Sequence, residues 1–526
     1  MSANDRVKPL VILGVDAGDP QWLRRWTSEG RLPNIGAIMA RGCWGETGGS
    51  ELLLEHGVWQ SIFAGISRGK SGYHYFRQLH PGSYDLRLVN GAIIRARPFW
   101  DCLGKDDGRI FIADIPDILP GPESNGVQIA NWAVHRGWRS RDPEEQPMSQ
   151  PASALKEIEK LVGPAQLIIE NAQSTLEQDR EIYRQLMARI PRKGALCRAL
   201  IGKEKPNVVA VVFGESHSAG HQFWKYQKHG EEVGATSPDL VNGIRSIYEA
   251  IDHEIGLLLH ELPSDSNVFV ISSVGLAHHY PTGQLLEAFC RELGYQVPST
   301  ATPASFHPMT VVRRLIPEPW RIGLSRLFSR ETRERWLAEQ FRSNTDWNKT
   351  TAFVIPSIYT GFIRVNLRGR EPSGIVEPGQ DYESILRQLE ADLAKLVDPV
   401  TEKPAIEKVI RTAEVFGKDA PSMLPDLIVH WNPSTHFLER VTHPRCDLVQ
   451  SRPEFNRASD HYEHGFFAAA GPGIDQRGEL AEVDTLDLAP TFLRLLNQPH
   501  PAWMSGKPVE ELLVGTNQSP DLVTEH

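Results

Sequence analysis

The sequence contains little cysteine and no excess of positive charge. Five cysteines are scattered over 526 residues, and no two of them have the CxxC spacing. This set excludes a disulfide framework and a zinc site built on thiolates, and it favours a reducing compartment. Acidic residues outnumber basic residues by 66 to 56, which gives a net charge of −10. A general nucleic-acid-binding protein would need a basic surface, so we expect no nucleic-acid partner.

Long apolar runs are also missing. The N-terminal segment leads directly into a strand-like run and lacks the apolar stretch and the small-residue cleavage site of a signal peptide. No run approaches the roughly 20 residues that cross a bilayer. We therefore expect a cytoplasmic protein that does not bind membranes. The sequence leaves its oligomeric state open.

Short β-branched runs with helical patterns between them indicate an α/β fold. Both faces of these runs are apolar, which is typical of buried central strands. Strands that alternate with helices predict a mostly parallel central sheet sandwiched between helices. In such sheets, functional groups gather at the C-terminal ends of the strands. The predicted strands are Leu10–Val15, Ile110–Ile115, Val208–Phe213, Val268–Ser272 and Leu427–Val429.

Two stretches interrupt the alternation and predict helical cap insertions. Residues 134–206 are polar and helical in character, and residues 300–345 hold eight arginines against four glutamates. The second stretch is either a solvated helical face or a lid that attracts an anionic substrate. We predict one domain over residues 1–526, with these two insertions and a small-molecule substrate of anionic character.

Three histidines have the arrangement of a metal site. The segment VVAVVFGESHSAGHQFW places His217 and His221 four residues apart directly after a strand, so that both rings face one side of a helical turn. A third ring, His461, lies in ASDHYEHGFFAAAGPGI. Three neutral imidazoles around one divalent ion leave a coordination position open, as in catalytic zinc sites. Asp16, where the first strand ends, is either a further cation ligand or the acceptor of a turn.

The order of these motifs resembles the alkaline phosphatase superfamily. The most similar branch is the phosphohydrolase/phosphomutase-like group, which is related to type I phosphodiesterases and nucleotide pyrophosphatases. The resemblance covers nearly the whole chain. It is carried by GVDAGDP, VWQSIFAGISRGKSGYHYF, GESHSAGHQFW, NVFVISSVG, PDLIVHW, SDHYEHGFFAAAGPGI and VDTLDLAPTFLRLL. It implies an alkaline phosphatase-like fold and a metal-dependent phosphatase or phosphodiesterase.

The resemblance also implies roles for four residues of the motifs. Members of this family use two metal ions that clamp a phosphate. Asp16 matches a ligand of the second ion, whereas His221 and His461 match ligands of the first. His217 stands where the family has a first-site aspartate, and this change still permits coordination.

Three further positions depart from the family pattern. Ser273 and Val274 stand where the second site has aspartate and histidine, and Glu55 stands where the family has its hydroxyl nucleophile. Valine cannot bind a metal, so the second site is lost. The first site is retained as His217, His221 and His461. We therefore predict a single divalent transition metal, zinc, with iron and manganese as alternatives. Glu55 is then a further ligand, a general base or a nucleophile.

These residues together predict a metal-dependent hydrolase that acts on a phosphodiester or related ester through one metal-activated water. The alternative is the same fold repurposed for a non-hydrolytic, metal-centred biosynthetic reaction, or for binding without catalysis.

Overall fold

The computed structural model describes residues 7–54, 56–89, 97–104, 108–121, 125–135, 142–170, 174–227, 237–299, 330–452 and 457–515. Three predicted features lie wholly or partly outside these ranges. They are Glu55, residues 136–141 and 171–173 of the first predicted insertion, and residues 300–329 of the second. Within the described ranges, no helix combines the length and the apolar character needed to cross a membrane.

The strands of the described ranges belong to several sheets. In chain order they are β1 (Leu10–Val15), β2 (Cys43–Gly48), β3 (Arg77–Leu79), β4 (Leu86–Leu88), β5 (Ile110–Ala113), β6 (Gly126–Ala130), β7 (Met148–Gln150), β8 (Val208–Phe213), β9 (Asn267–Ser272), β10 (Gly275–His278), β11 (Ala352–Ile355), β12 (Gly361–Val365), β13 (Val397–Asp398), β14 (Lys403–Pro404), β15 (Ile406–Arg411), β16 (Leu427–Trp431), β17 (Arg440–His443), β18 (Cys446–Val449), β19 (Ser459–Tyr462), β20 (Gly465–Ala470), β21 (Gly478–Glu479) and β22 (Val483–Asp484).

Helices alternate with these strands along most of the chain. In chain order they are α1 (Pro20–Ser28), α2 (Pro33–Arg41), α3 (Val58–Ala64), α4 (Arg68–Ser71), α5 (Ser153–Val162), α6 (Leu176–Glu204), α7 (Glu215–Phe223), α8 (Gly243–His260), α9 (Gly283–Glu292), α10 (Arg330–Ser343), α11 (Gln380–Leu393), α12 (Thr412–Phe416) and α13 (Leu488–Leu495). Short 3₁₀ turns connect several of these elements, at Ser50–Leu53, Phe99–Cys102, Pro143–Glu145, Trp224–Tyr226, Thr485–Asp487 and Glu510–Leu512.

The largest sheet has the strand order β21-β2-β20-β9-β1-β8-β5-β6-β7, with β22 paired to β2. The five strands at its centre, from β9 to β6, are mutually parallel. The pairs β9–β20, β20–β2 and β6–β7 are antiparallel. The predicted fold class, a mostly parallel central sheet sandwiched between helices, is therefore confirmed.

Side chains of the central strand β1 alternate between two apolar cores. Val11 and Leu13 pack into the core beneath α6 and α8, whereas Leu10 and Ile12 pack into the core beneath α3 and α13. All six residues of β1 are buried. A strand that is apolar on both faces belongs in the middle of a sheet covered on both sides.

The predicted strands are confirmed with small shifts of their ends, but one of them belongs to a different sheet. Leu427–Trp431 is β16, and it pairs with β12 and β15 in an antiparallel sheet of its own. Its short apolar run is typical of any buried strand, and the run alone does not reveal the partner strand. Within the first predicted insertion, α6 packs against the main core through side chains such as Leu186 and Ile190.

Candidate metal centre

The candidate site lies where three central strands end side by side. In the parallel register, Val15 of β1 stands opposite Phe213 of β8 and Ser272 of β9. The residues that follow these three strands therefore emerge at one edge of the sheet. This is the edge at which parallel sheets collect functional groups.

Helix α7 begins at Glu215, two residues after β8 ends, and carries two of the histidines. His217 and His221 lie one helical turn apart, as their spacing predicts. Glu215 is fully buried and accepts a hydrogen bond from Arg189 of α6 at 2.6 Å. This ion pair joins the first turn of α7 to α6.

The third histidine comes from a strand far along the chain. His461 lies on β19, which pairs antiparallel with β10 so that His461 stands opposite Leu276. Strand β10 can approach α7 closely because Gly220 faces Leu276. A Cβ atom on Gly220 would lie 2.2 Å from Leu276 Cδ1. The glycine in the GESHSAGHQFW segment thus brings β10 and β19 towards the helix.

The three imidazoles form a nearly equilateral triangle. Their ring centroids are 4.9 Å apart for His217 and His221, 4.8 Å for His217 and His461, and 5.1 Å for His221 and His461. One nitrogen of each ring lies within 4.8 Å of the corresponding nitrogens of the other two. The structure therefore brings the three predicted histidines together.

Hydrogen bonds hold two of the rings from behind. Asp16 Oδ2 lies 2.8 Å from His217 Nδ1, and a carboxylate can only accept, so Nδ1 carries the proton and Nε2 of the neutral ring is an acceptor. His221 Nδ1 lies 3.1 Å from Ser459 Oγ. Such contacts behind an imidazole fix its tautomer and its orientation in metal sites.

The inner nitrogens have the character expected of metal ligands. His461 Nε2 lies 3.0 Å from His217 Nε2, and two imidazole nitrogens at this distance need either a proton or a cation between them. His221 Nε2 is buried and has no hydrogen-bond partner among the residues that the structure describes. Burial lowers the pKa of both His221 and His461, and the neighbouring His217 lowers both further. Neutral imidazole is the form that binds a metal, so the donor set fits a divalent ion.

Asp16 is buried and has three side-chain partners. Its Oδ2 contacts His217, while its Oδ1 accepts hydrogen bonds from Trp59 Nε1 at 2.7 Å and from Ser273 Oγ at 3.1 Å. Burial alone would raise the pKa of Asp16, but His217 and Trp59 hold it below the usual value. In this structure Asp16 orients His217, and its predicted role as a direct ligand stays a prediction.

Trp59 reaches Asp16 because a neighbouring position has no side chain. Gly14 lies on β1, and a Cβ atom there would come within 2.8 Å of the Trp59 ring and 2.6 Å of Val212. The glycine of the GVDAGDP motif therefore leaves room for the indole that donates to Asp16.

Ser273 and Val274 occupy the edge of the site between β9 and β10. Ser273 Oγ donates to Asp16 and accepts a hydrogen bond from the backbone of Ala17, each at 3.1 Å. Val274 is buried with an apolar side chain. Neither residue offers a carboxylate or an imidazole, and the single ion stays a prediction.

Searches against known proteins give matches only among solved structures. No family model and no curated protein matches the chain. Human ectonucleotide pyrophosphatase/phosphodiesterase 5 matches with 11% identity, a TM-score of 0.46 and coverage of 97% of this chain and 100% of that chain. The murine protein, inactive and in complex with AMP, matches with 12% identity, a TM-score of 0.45 and coverage of 96% and 100%. Matches at these identities and TM-scores transfer no residue role to this chain.

A cavity of about 400 Å³ adjoins the triad, and we call it the histidine cavity. It is lined by Asp16, Trp59, His217 and His461 and by three arginines. A second cavity, of about 580 Å³, contains Trp22, Trp224 and Trp431, and we call it the tryptophan cavity. Asp460, His461 and Val274 line both cavities and form part of the wall between them. The three arginines of the histidine cavity are Arg77, Arg333 and Arg457.

Three residues beside the triad were missed from the sequence. His135 follows β6, and its ring stacks on His217 with the centroids 3.7 Å apart and the planes 9° apart. Glu170 contacts His135 through Oε1 and Arg457 through Oε2. None of the three follows a predicted strand. His135 comes after β6, which was not among the predicted strands, and Glu170 and Arg457 lie in irregular segments that no periodicity marks.

Proposed function

We propose that the protein is a metal-dependent hydrolase that acts on a phosphodiester or related ester through one divalent ion. His217, His221 and His461 would hold this ion. The convergence of three imidazoles is the observation that carries the proposal, and one of them has a buried Nε2 without a partner in the described ranges. Three protein ligands leave a position open, which is typical of catalytic rather than structural zinc sites.

Zinc is the ion that this donor set favours, with iron and manganese as alternatives. Such an ion supplies Lewis-acid polarisation and lowers the pKa of a bound water to about 7. Asp16 fixes the tautomer of His217, and Ser459 fixes the orientation of His221. Glu55 stays a candidate for a further ligand, a general base or a nucleophile. Its neighbours His56 and Gly57 line the histidine cavity.

Metal content and hydrolysis of a chromogenic diester test this proposal together. The purified protein should contain about one zinc per chain and should hydrolyse bis(p-nitrophenyl) phosphate. His221→Ala and chelation should each abolish the activity. His464→Ala is the matched control, because His464 is a half-exposed histidine close to His461 that lies outside the triad. A variant H221A with full activity, or a wild-type protein without transition metal, would contradict the proposal.

One observation favours the alternative in which the fold no longer carries out hydrolysis. The side chains of Ser273 and Val274 fill the side where the family resemblance places a second ion. A triple variant, Glu55→Thr with Ser273→Asp and Val274→His, would restore the family pattern. Phosphatase activity that is gained in this variant and absent from the wild-type protein would support the alternative.

A further inference from the structure

We propose that Arg457 binds the anionic group of the substrate, and that Glu170 positions its guanidinium. The proposal deepens the proposed function, since it names the residue that recognises charge at the same site. Arg457 lines the histidine cavity together with His217 and His461. An arginine beside a metal centre can bind the oxygens of a phosphate through its planar fork of N–H donors.

Glu170 is held in a polar cluster directly beside the triad. Its carboxylate is 2% exposed, with Oε1 2.5 Å from His135 Nδ1 and Oε2 2.9 Å from Arg457 Nη2. Burial alone would raise the pKa of Glu170, but His135 and Arg457 hold it at about 2. The carboxylate is therefore ionised, and it fixes one end of the guanidinium while His135 stacks on His217.

Asp16 and His135 contact the ring of His217 from different directions. Asp16 contacts the edge of the His217 ring through Nδ1, whereas His135 covers its face and leads to Glu170 and Arg457. Arg457 lines the same cavity as His217 and His461, so an anion bound to its guanidinium would lie beside the triad.

The environment of Arg457 differs from that of another arginine in the same cavity. Arg77 donates two hydrogen bonds to Glu334 of α10, at 2.5 and 2.7 Å, so its fork is already engaged by a carboxylate. Among the described residues, Arg457 forms one ion pair, through Nη2, and its side chain is 22% exposed. Glu170 shares its charge with His135 as well. Arg457 therefore has donors left with which to bind a ligand in the cavity.

Binding of inorganic phosphate to the zinc-loaded protein tests the role of Arg457 by calorimetry. Arg457→Gln should weaken phosphate binding at least tenfold, and Arg457→Lys should weaken it less, because lysine keeps the charge but loses the planar fork. Arg452→Gln is the control, since Arg452 lies over the ring of Phe437 rather than in the cavity. The zinc content and the melting temperature of each variant show that it remains folded.

A positioning role for Glu170 and a simple charge effect predict opposite changes in the affinity for phosphate. Glu170→Gln removes a negative charge near the cavity, so electrostatics alone would tighten phosphate binding. If Glu170 positions the guanidinium, the same variant binds phosphate more weakly. Tighter binding would overturn the positioning role.

The outcomes separate this inference from the proposed function. Phosphate binding that is equal in the wild type and in R457Q, or absent from the zinc-loaded wild type, would overturn the role of Arg457. Phosphate binding that depends on Arg457, in a protein that hydrolyses no ester, would support the inference and contradict the hydrolase proposal.

Discussion

At the scale of single residues, the site depends on one carboxylate. Asp16 contacts a metal-ligand candidate, an indole and a hydroxyl, so it links β1, α3, α7 and the segment after β9. A carboxylate behind an imidazole raises the basicity of the ring and fixes which nitrogen faces the ion. Its loss should therefore affect metal affinity more than the fold.

We predict that Asp16→Asn weakens zinc binding by about 10- to 100-fold, the usual cost of removing such a partner. Ser273→Ala is the matched control, because it removes a hydrogen bond to the same carboxylate and leaves the His217 contact intact. Competition with a chromogenic chelator measures both affinities. Equal affinities in D16N and in the wild-type protein would show that Asp16 does not orient the ligand.

The sequence predicted the residues of the site that local patterns mark. The pair on α7 follows from a four-residue spacing after a strand, and the fold class follows from the apolar runs. Glu170 was not predictable in this way, because its partners His135 and Arg457 come from segments that only the tertiary fold brings together. His461 was predicted from its motif, but its position opposite Leu276 depends on the pairing of β19 with β10.

At the scale of elements, the antiparallel sheet with the strand order β11-β12-β16-β15 contains a buried ion pair. Asp426 immediately precedes β16, and both its oxygens bond to Arg370, at 2.7 Å each. It also accepts hydrogen bonds from the backbone of Val365 and from Tyr382. Burial opposes ionisation of Asp426, but Arg370 holds its pKa below the usual value.

The stability of this sheet should depend on pH through Asp426. Because its pKa is lower in the folded state, the contribution is present above the unfolded value near 4 and is lost as the pH falls further. Asp426→Asn should cost about 3 kcal/mol at pH 7, since it breaks a buried pair. Urea unfolding at pH 7 and at pH 3 measures this, and the difference between variant and wild type should shrink at pH 3. A difference that is constant with pH would contradict the assignment.

At the scale of the whole molecule, the triad joins distant parts of the chain. His217 and His461 are separated by 244 positions in sequence, yet their Nε2 atoms are 3.0 Å apart. An ion between α7 and β19 would act as a cross-link that only the folded chain can form. Ligands that bind the folded state alone stabilise it by mass action.

We predict that zinc raises the melting temperature. At a free concentration 1,000 times the dissociation constant, it should add about 4 kcal/mol to the free energy of unfolding. His461→Ala should remove most of this increase, because it disconnects β19 from the ion. His464→Ala, on the same segment, should retain it. Differential scanning calorimetry with zinc and with chelator measures the change, and identical melting curves would contradict the cross-link.

The buried charge of Asp16 also affects the register in which β1 pairs with β8 and β9. Strand β1 is buried and apolar on both faces, so its side chains alone give little preference between neighbouring pairings with β8 and β9. A slip by one residue would turn the carboxylate to the opposite face, away from Trp59 and His217. Burying an ionised carboxylate among aliphatic side chains without a partner costs a large free energy. The carboxylate that contacts His217 therefore also disfavours the shifted pairing of β1.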